Sequence, residues 1–230
     1  MDNQEFAKKR EKWLQEVSDE CHEFSKKIDL DFYVFQTPSD KYNPDLLIVG
    51  INPGGGKTYA QMKIEKGYDK RPATELGYDT YTIYEKPQWE IDLKAKGADK
   101  LRSAFSRVFN EETGLKDVLK NSVMMNMFYF NTQKAKDIGN IHSEIQEYCI
   151  AKTIEFIKIL NPKNIIFLTS QNWMLKKCGV NSIESVENYI KKGVLNNKVV
   201  YAIPHYGYYS AYSYENGSKM GKSLKQILSA

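Results

Sequence analysis

Two segments of the sequence contain residue types that can carry out chemistry at the end of an apolar run. Residues 50–54, Gly-Ile-Asn-Pro-Gly, place the Asn52 amide between glycines. Residues 203–211, Ile-Pro-His-Tyr-Gly-Tyr-Tyr-Ser-Ala, contain His205, one of three histidines in the chain. An asparagine does not titrate, so it can hold water but cannot act as a strong base. A histidine can donate a hydrogen bond to a developing negative charge.

The glycine-rich segment 50–58 has three possible interpretations. A phosphate-binding P-loop requires a glycine, four residues and then Gly-Lys-Ser/Thr. Counting back from residues 56–58 places Ile51 where the first glycine belongs, and Pro53 removes a backbone donor from the loop. The other two interpretations are a tight strand-to-helix turn that needs the glycines for backbone freedom, and a catalytic turn that presents Asn52.

Asn126 is a further candidate because it lies within an apolar run, 123–130. Its amide carries a donor and an acceptor side by side, so it can donate to a ligand and accept from it together. Asn131 is a rival for this role. The other two histidines, His22 and His142, lie within or beside predicted helices, which favours a structural role for both.

Strands alternate with helices along the chain. Short apolar runs predict buried parallel strands at 45–50, 123–130, 164–169 and 198–203. Helical periodicity predicts helices at 5–27, 98–109, 141–160, 171–178, 182–192 and 219–228. This alternation predicts an α/β fold with three α/β/α layers, a central four-stranded parallel sheet and right-handed crossovers.

The whole chain, 1–230, is interpreted as a single domain with an N-terminal helix within 1–27. The polar, tyrosine-rich segment 57–97 is predicted to form a short helix and a long excursion near the end of the first strand. Ligand sites of α/β proteins form at the carboxyl ends of parallel strands. We therefore expect Asn52, Asn126 and His205 to converge at that edge of the sheet.

Residues 50–54 resemble the first catalytic motif of the uracil-DNA glycosylase superfamily. The likeness is closest to its mismatch-specific and single-strand-selective branches, which carry G-[I/M]-N-P-G after the first strand. The second segment is similar to the motif H-P-S-P-L-S-A, with His205, Ser210 and Ala211 in register. It departs from that motif by replacing both prolines with tyrosines and by placing Tyr209 where the wedge leucine stands. The resemblance covers residues 46–211 in predicted topology.

The resemblance implies a DNA base-excision glycosylase that hydrolyses the N-glycosidic bond of uracil or a related damaged base. It implies uracil-containing or mismatched DNA as partner, a monomer, and chemistry without metal or cofactor. Asn52 would position water and His205 would donate to uracil O2. Asn126 would face N3–H and O4 of uracil, and Tyr209 would fill the space of the extruded base. The implied site comprises the catalytic residues Asn52 and His205 and the substrate-binding residues Gly50, Ile51, Pro53, Gly54, Asn126, Tyr209 and Ser210.

Two other function classes compete with this interpretation. The altered second motif allows a non-catalytic protein of the same fold that binds nucleic acid or a nucleotide. The glycine-rich segment allows an unrelated α/β enzyme that binds or hydrolyses nucleotides. A net charge of +4 permits a nucleic-acid partner without arguing for one.

Composition excludes several further classes. The chain of 230 residues is 41% hydrophobic, which is enough for a sizeable core. Its three cysteines, Cys21, Cys149 and Cys178, are too far apart for a zinc ribbon, an iron–sulfur site or a disulfide framework. The N-terminus is charged and no run of 18 apolar residues exists, so we expect a cytoplasmic protein with no signal peptide and no membrane span.

Overall fold

The computed structural model describes residues 1–55, 58–67 and 99–229. Seven α-helices are described within these ranges: α1 Asn3–Ile28, α2 Tyr59–Lys66, α3 Asp99–Val108, α4 Lys116–Lys120, α5 Ser143–Leu160, α6 Asn172–Lys177 and α7 Tyr214–Leu228. The strands are β1 Leu46–Gly50, β2 Val123–Asn126, β3 Asn164–Leu168, β4 Asn181–Ser185, β5 Lys191–Leu195 and β6 Lys198–Ile203. Two 3₁₀-helices span Ala135–Asn140 and Tyr209–Tyr212.

The predicted α/β fold is confirmed, but the predicted sheet is wrong in strand number and direction. Six strands form a mixed sheet in the order β2-β1-β3-β6-β5-β4. β1 pairs with β3, and β3 with β6, in parallel. β5 is antiparallel to both β6 and β4. The sheet is therefore neither four-stranded nor purely parallel. The short helix predicted after residue 57 is α2, and the remainder of the predicted excursion, 68–97, lies outside the described residues.

The helix predicted at 182–192 is wrong because this segment belongs to two antiparallel strands. Asn196 and Asn197 join β5 to β6, with φ of 49° and 64°. Two consecutive left-handed residues make the tight turn that suits a β-hairpin, and asparagine tolerates this conformation. β4 is exposed along most of its length. It therefore lacks the apolar pattern by which a strand is predicted from sequence.

Backbone contacts divide the described residues into two compact units. The first, unit 1, comprises 1–43, 50–55, 58–67 and 123–162. The second, unit 2, comprises 44–49, 99–122 and 163–229. The single domain predicted from the sequence stays a prediction. No described helix combines the length and the apolar character needed to cross a membrane.

Helix α1 supplies one wall of the core of unit 1. Trp13 is 1% exposed, and its ring centroid lies 4.6 Å from that of Phe156 on α5. The indole nitrogen of Trp13 donates to the Lys152 carbonyl at 3.2 Å. Burial of an indole that is also hydrogen-bonded fixes α1 against α5 without leaving a polar atom unsatisfied.

Helix α2 is attached to α1 by polar contacts. The Tyr59 hydroxyl contacts the buried ring of His22, and the Ala60 amide donates to Asp29 Oδ1 at 3.0 Å. The Thr58 hydroxyl accepts from the Gln61 amide at 3.1 Å, which caps the start of α2. These contacts fix the chain where it leaves the glycine-rich segment. The structural role favoured for His22 agrees with its burial.

Helix α7 of unit 2 approaches the end of α3 so closely that only glycine fits at the contact. A Cβ placed on Gly221 would lie 2.3 Å from the Val108 carbonyl oxygen and 2.6 Å from Thr113 Cγ2. Neither atom can move without shifting backbone or a buried side chain. Close packing of α7 on this segment therefore depends on the missing side chain at Gly221.

Gly221→Ala is expected to lower the free energy of unfolding by ~1–3 kcal/mol or more, the range for overpacked cores. Gly139→Ala is the matched control, because a Cβ there would meet nothing within 4 Å. It should leave stability unchanged within about 0.5 kcal/mol. Urea unfolding followed by circular dichroism measures both. Equal stability of the two variants would contradict the close packing described for α7.

Candidate functional site

The turn at residues 50–54 is held by backbone hydrogen bonds to the segment that follows β2. The Met127 amide donates to the Gly50 carbonyl and the Phe128 amide donates to the Ile51 carbonyl, both at 2.9 Å. Gly54 forms an isolated parallel bridge with Thr132. Ile51 and Pro53 are buried. The turn therefore has a fixed conformation in unit 1.

Asn52 is half-buried and its amide orientation is set by neighbouring acceptors. Its Nδ2 donates to Thr132 Oγ1 at 2.8 Å and to the Pro53 carbonyl at 2.9 Å. Because the nitrogen is engaged with protein oxygens, Oδ1 is the atom of this side chain with which a water molecule can be held. This geometry suits positioning of water and gives no strong base.

A cavity of about 350 Å³ lies beside this turn in unit 1. It lies next to Asn52 because Thr132, which accepts from Asn52, is part of its wall. Amide, hydroxyl and apolar side chains dominate the lining, with a single carboxylate. The lining residues are Ile28, Leu30, Gly55, Asn131, Thr132, Gln133, Asp137, Asn140 and Ile141. Such a mixture of neutral donors, acceptors and apolar groups suits a flat heterocycle.

Asn131 is the residue of this cavity whose hydrogen bonding is incomplete. It is 4% exposed, and its buried Oδ1 has no hydrogen-bond partner among the described residues. Its backbone amide donates to the Asp31 carbonyl at 2.8 Å, so the main chain is fixed. Unsatisfied buried acceptors are rare and costly in folded proteins. Asn131 therefore places a buried acceptor without a partner among the described residues at the wall of this cavity.

Gly55 brings the backbone close to the Asn131 side chain. Its φ is 134°, and a Cβ placed there would lie 3.5 Å from Asn131 Nδ2. Residues other than glycine rarely adopt this backbone conformation. Glycine at this position therefore permits the backbone conformation that the chain adopts beside Asn131.

Asn126, predicted from the resemblance to read a base, has both ends of its side-chain amide hydrogen-bonded within the protein. It is fully buried, its Oδ1 accepts from Gln36 Nε2 at 3.4 Å, and its Nδ2 donates to the Tyr33 carbonyl at 3.3 Å. A Cβ on Gly50 would lie 3.0 Å from the same Oδ1. Asn126 thus secures the segment 33–36 against β2, and Asn131 is better placed for ligand contact. A substrate-binding role of Asn126 stays a prediction.

His205 follows β6 in unit 2 and has a defined tautomer. The Gly207 amide donates to His205 Nδ1 at 3.1 Å, so a neutral ring carries its proton on Nε2. Burial lowers the pKa of His205 below its ordinary value. The ring also lies against Tyr206, with centroids 3.9 Å apart. In the neutral ring, Nε2–H is therefore the donor of His205, and its catalytic role stays a prediction.

The loop after His205 is fixed at its end and exposes its tyrosines. The buried Tyr212 hydroxyl donates to the Pro204 carbonyl at 2.5 Å. The Ser210 carbonyl accepts from Asn216 Nδ2 at 2.8 Å. Tyr209 is 65% exposed, so most of its ring is not packed in the core. Its role as a wedge stays a prediction.

The predicted site residues are thus distributed over two units. Unit 1 contains residues 50–54 and Asn126, and unit 2 contains His205, Tyr209 and Ser210. Their predicted convergence on one cleft stays a prediction. Gly56 and Lys57, on which the P-loop interpretation depends, lie outside the described residues. In the sequence, Asn131 is only a rival to Asn126. The feature that points to Asn131 is the end of the apolar run at Phe130, immediately before it.

Neither a protein-family model nor a curated protein matches this sequence. The roles of Asn52, Asn131 and His205 are therefore argued from their geometry and from the sequence resemblance.

The two buried asparagines should respond differently to truncation. Asn126→Ala is expected to lower the free energy of unfolding by ~1–3 kcal/mol, because Gln36 and the Tyr33 carbonyl lose a buried partner. Asn131→Ala should cost less, because it also removes an acceptor that is unsatisfied in the free protein. Thermal and urea unfolding of the pair measures this difference. A larger loss for Asn131→Ala would show that its amide, too, serves the fold.

The His205 ring should titrate below about 6.5, the ordinary histidine pKa, with Nε2 protonated in the neutral form. Nitrogen-15 chemical shifts of the ring report both properties. Because the folded pKa lies below the unfolded one, stability contributed by the neutral ring is present above the unfolded pKa. It is lost as pH falls from there through the folded pKa. A midpoint at or above the ordinary value would contradict burial as the dominant effect.

Proposed function

We propose that this protein is a DNA base-excision glycosylase that hydrolyses the N-glycosidic bond of uracil or a related damaged base. One observation carries the proposal: the buried, unpartnered acceptor of Asn131 in an amide-lined cavity beside the turn that holds Asn52. The resemblance of residues 50–54 to the superfamily's first motif points to the same chemistry.

The cavity suits a pyrimidine base in size and polarity. Its volume of about 350 Å³ lies within the usual range for small-molecule sites. Oδ1 of Asn131 would accept from uracil N3–H, and Nδ2 of the same amide would donate to O4. The apolar side chains of Ile28, Leu30 and Ile141 would contact the ring. An amide that faces both groups distinguishes uracil from cytosine, whose N3 is an acceptor and whose N4 is a donor.

The reaction replaces the bond between the base nitrogen and C1′ of deoxyribose with a bond from C1′ to water oxygen. The electron pair of the broken bond departs with the base, and a proton from water is released as the new C1′–O bond forms. Asn52 would hold the water through Oδ1, since its nitrogen is engaged by Thr132. Because an amide is no strong base, this arrangement suits a dissociative reaction with a stabilised leaving anion.

The sequence resemblance assigns the stabilisation of that leaving anion to His205, by donation from Nε2 to a base oxygen. A neutral imidazole gains in this role from a low pKa, since the ring keeps the same tautomer through the reaction. One such donor typically contributes ~10²–10³-fold in rate.

Base release from a uracil-containing oligonucleotide tests the proposal, with abasic sites detected by alkaline cleavage. His205→Ala should lower the single-turnover rate ~10²–10³-fold. Asn52→Ala and Asn131→Ala should each lower it about tenfold or more, because a water or base contact is lost. Gln15→Ala, which truncates an exposed amide on α1, is the control and should match the wild type.

Two outcomes would contradict the proposal. If the wild type binds uracil-containing DNA but releases no base from uracil or mismatched substrates, the protein belongs to the non-catalytic, nucleic-acid-binding class. If base release occurs and all three variants retain the wild-type rate, the site lies elsewhere in the chain.

A further inference from the structure

Two loops of unit 2 lie at the same end of the sheet because of the antiparallel pairing of β5 and β6. Lys191, at the start of β5, is paired with Ala202, near the end of β6. The connection from β4 to β5, residues 186–190, therefore lies beside the chain that leaves β6 at residue 204. The rings of Tyr189 and Tyr208 confirm this, with centroids 6.3 Å apart at 68°.

Tyr189 holds an unusual backbone conformation. Its φ is 68° and that of Asn188 is 43°, so two consecutive residues other than glycine are left-handed. This conformation is a genuine outlier for a bulky side chain, and surrounding contacts must maintain it. Asn188 Nδ2 donates to Ser223 Oγ at 3.0 Å, and Asn216 Nδ2 donates to the Tyr189 hydroxyl at 3.2 Å. The strained turn thus directs an aromatic ring outward.

Tyr189, Tyr208 and Tyr209 form an exposed group, which we call the tyrosine surface. Their exposed fractions are 41%, 55% and 65%. Asn216 connects the two loops of this surface, since its Nδ2 also donates to the Ser210 carbonyl at 2.8 Å. These bonds fix the two loops that bear the rings before any partner binds, which lowers the entropic cost of binding.

The charge of the chain is concentrated in the segment that builds this surface. Residues 163–230 contain nine lysines, three glutamates and no arginine or aspartate, a net charge of +6. The whole chain has a net charge of +4, so residues 1–162 carry −2. Exposed aromatic rings in a cationic segment are the combination by which proteins bind unpaired nucleic-acid strands. The same charge disfavours a second copy of this unit as the occupant.

We infer that the tyrosine surface binds single-stranded DNA, with unpaired bases stacked on Tyr189 and Tyr208. That the nucleic acid is DNA rests on the proposed function. The stacking role of Tyr189 comes from the β4–β5 connection, outside the two segments that resemble the superfamily motifs.

Fluorescence anisotropy with a fluorescein-labelled, uracil-free oligothymidylate tests this inference on the full chain. Tyr189→Ala should raise the dissociation constant about 5- to 150-fold, the equivalent of losing one base–aromatic stack. Tyr189→Phe keeps the ring and loses the hydroxyl that accepts from Asn216, and it should bind within about twofold of the wild type. Tyr208→Ala should weaken binding over the same range, and it remains informative if the strained turn fails to fold in Tyr189→Ala.

Val199→Ala is the matched control. Val199 is 46% exposed and is paired with Val194, toward the opposite end of the same two strands. Affinity in this variant should equal that of the wild type. Wild-type affinity in both Tyr189→Ala and Tyr208→Ala would overturn the inference, as would an equal loss in Tyr189→Phe and Tyr189→Ala. Dependence of self-association, but not of DNA binding, on the tyrosines would overturn it in favour of a second copy.

The two proposals fail in distinguishable ways because the probe contains no uracil. Tyrosine-dependent binding without base release from uracil-containing DNA refutes only the proposed function. Base release with oligothymidylate binding that is insensitive to Tyr189 and Tyr208 refutes only the inference drawn from the tyrosine surface.

Discussion

Backbone hydrogen bonds from Met127 and Phe128 to the carbonyls of Gly50 and Ile51 hold together the polar segments of unit 1. They fix the turn that bears Asn52 next to the chain that continues to Asn131. Gly50 permits this approach, since a Cβ there would lie 3.0 Å from Asn126 Oδ1. Main-chain hydrogen bonds buried in this way are insensitive to surface substitution, so the site is supported by the fold more than by its own side chains.

Three asparagines in unit 1 have the same side-chain amide but differ in how completely that amide is hydrogen-bonded. Asn126 has both ends of its amide paired in the interior, so it contributes to stability. Asn52 is paired on its nitrogen side, which orients it. Asn131 is buried with its oxygen unpaired, which costs stability in the free protein. Burial and pairing, which a sequence does not display, therefore distinguish Asn126 from Asn131.

The elements that could be predicted from the sequence are those with a strong apolar signal. The strands β1, β3 and β6 are continuous apolar runs, and α1 shows clear helical periodicity, so both kinds of element were predictable. The hairpin formed by β4 and β5 was not, because β4 is mostly exposed and the left-handed residues between the two strands are Asn188 and Tyr189, with no glycine to mark the turn. The apolar run 123–130 contains Asn126 and ends immediately before Asn131, so it does not show which of the two amides is paired. β2 ends at Asn126, but burial continues to Thr132, so both amides lie in the interior.

The loop after β6 shows how a departure from a familiar motif can preserve rigidity. In the motif that it resembles, prolines restrict the loop through their fixed φ. Here tyrosines stand in place of the prolines, and hydrogen bonds restrain the loop. The Tyr212 hydroxyl donates to the Pro204 carbonyl, the Gly207 amide to His205 Nδ1, and Asn216 Nδ2 to the Ser210 carbonyl.

These bonds use backbone groups and the buried Tyr212, and they leave the rings of Tyr208 and Tyr209 exposed. A proline frame offers only small apolar faces, whereas exposed tyrosines offer large flat surfaces on which bases can stack. The tyrosines that weaken the sequence resemblance therefore extend the exposed aromatic area of this loop. The β4–β5 hairpin adds Tyr189 to that area through the pairing of β5 with β6. The loop after β6 and the β4–β5 hairpin thus form the tyrosine surface together, within one unit.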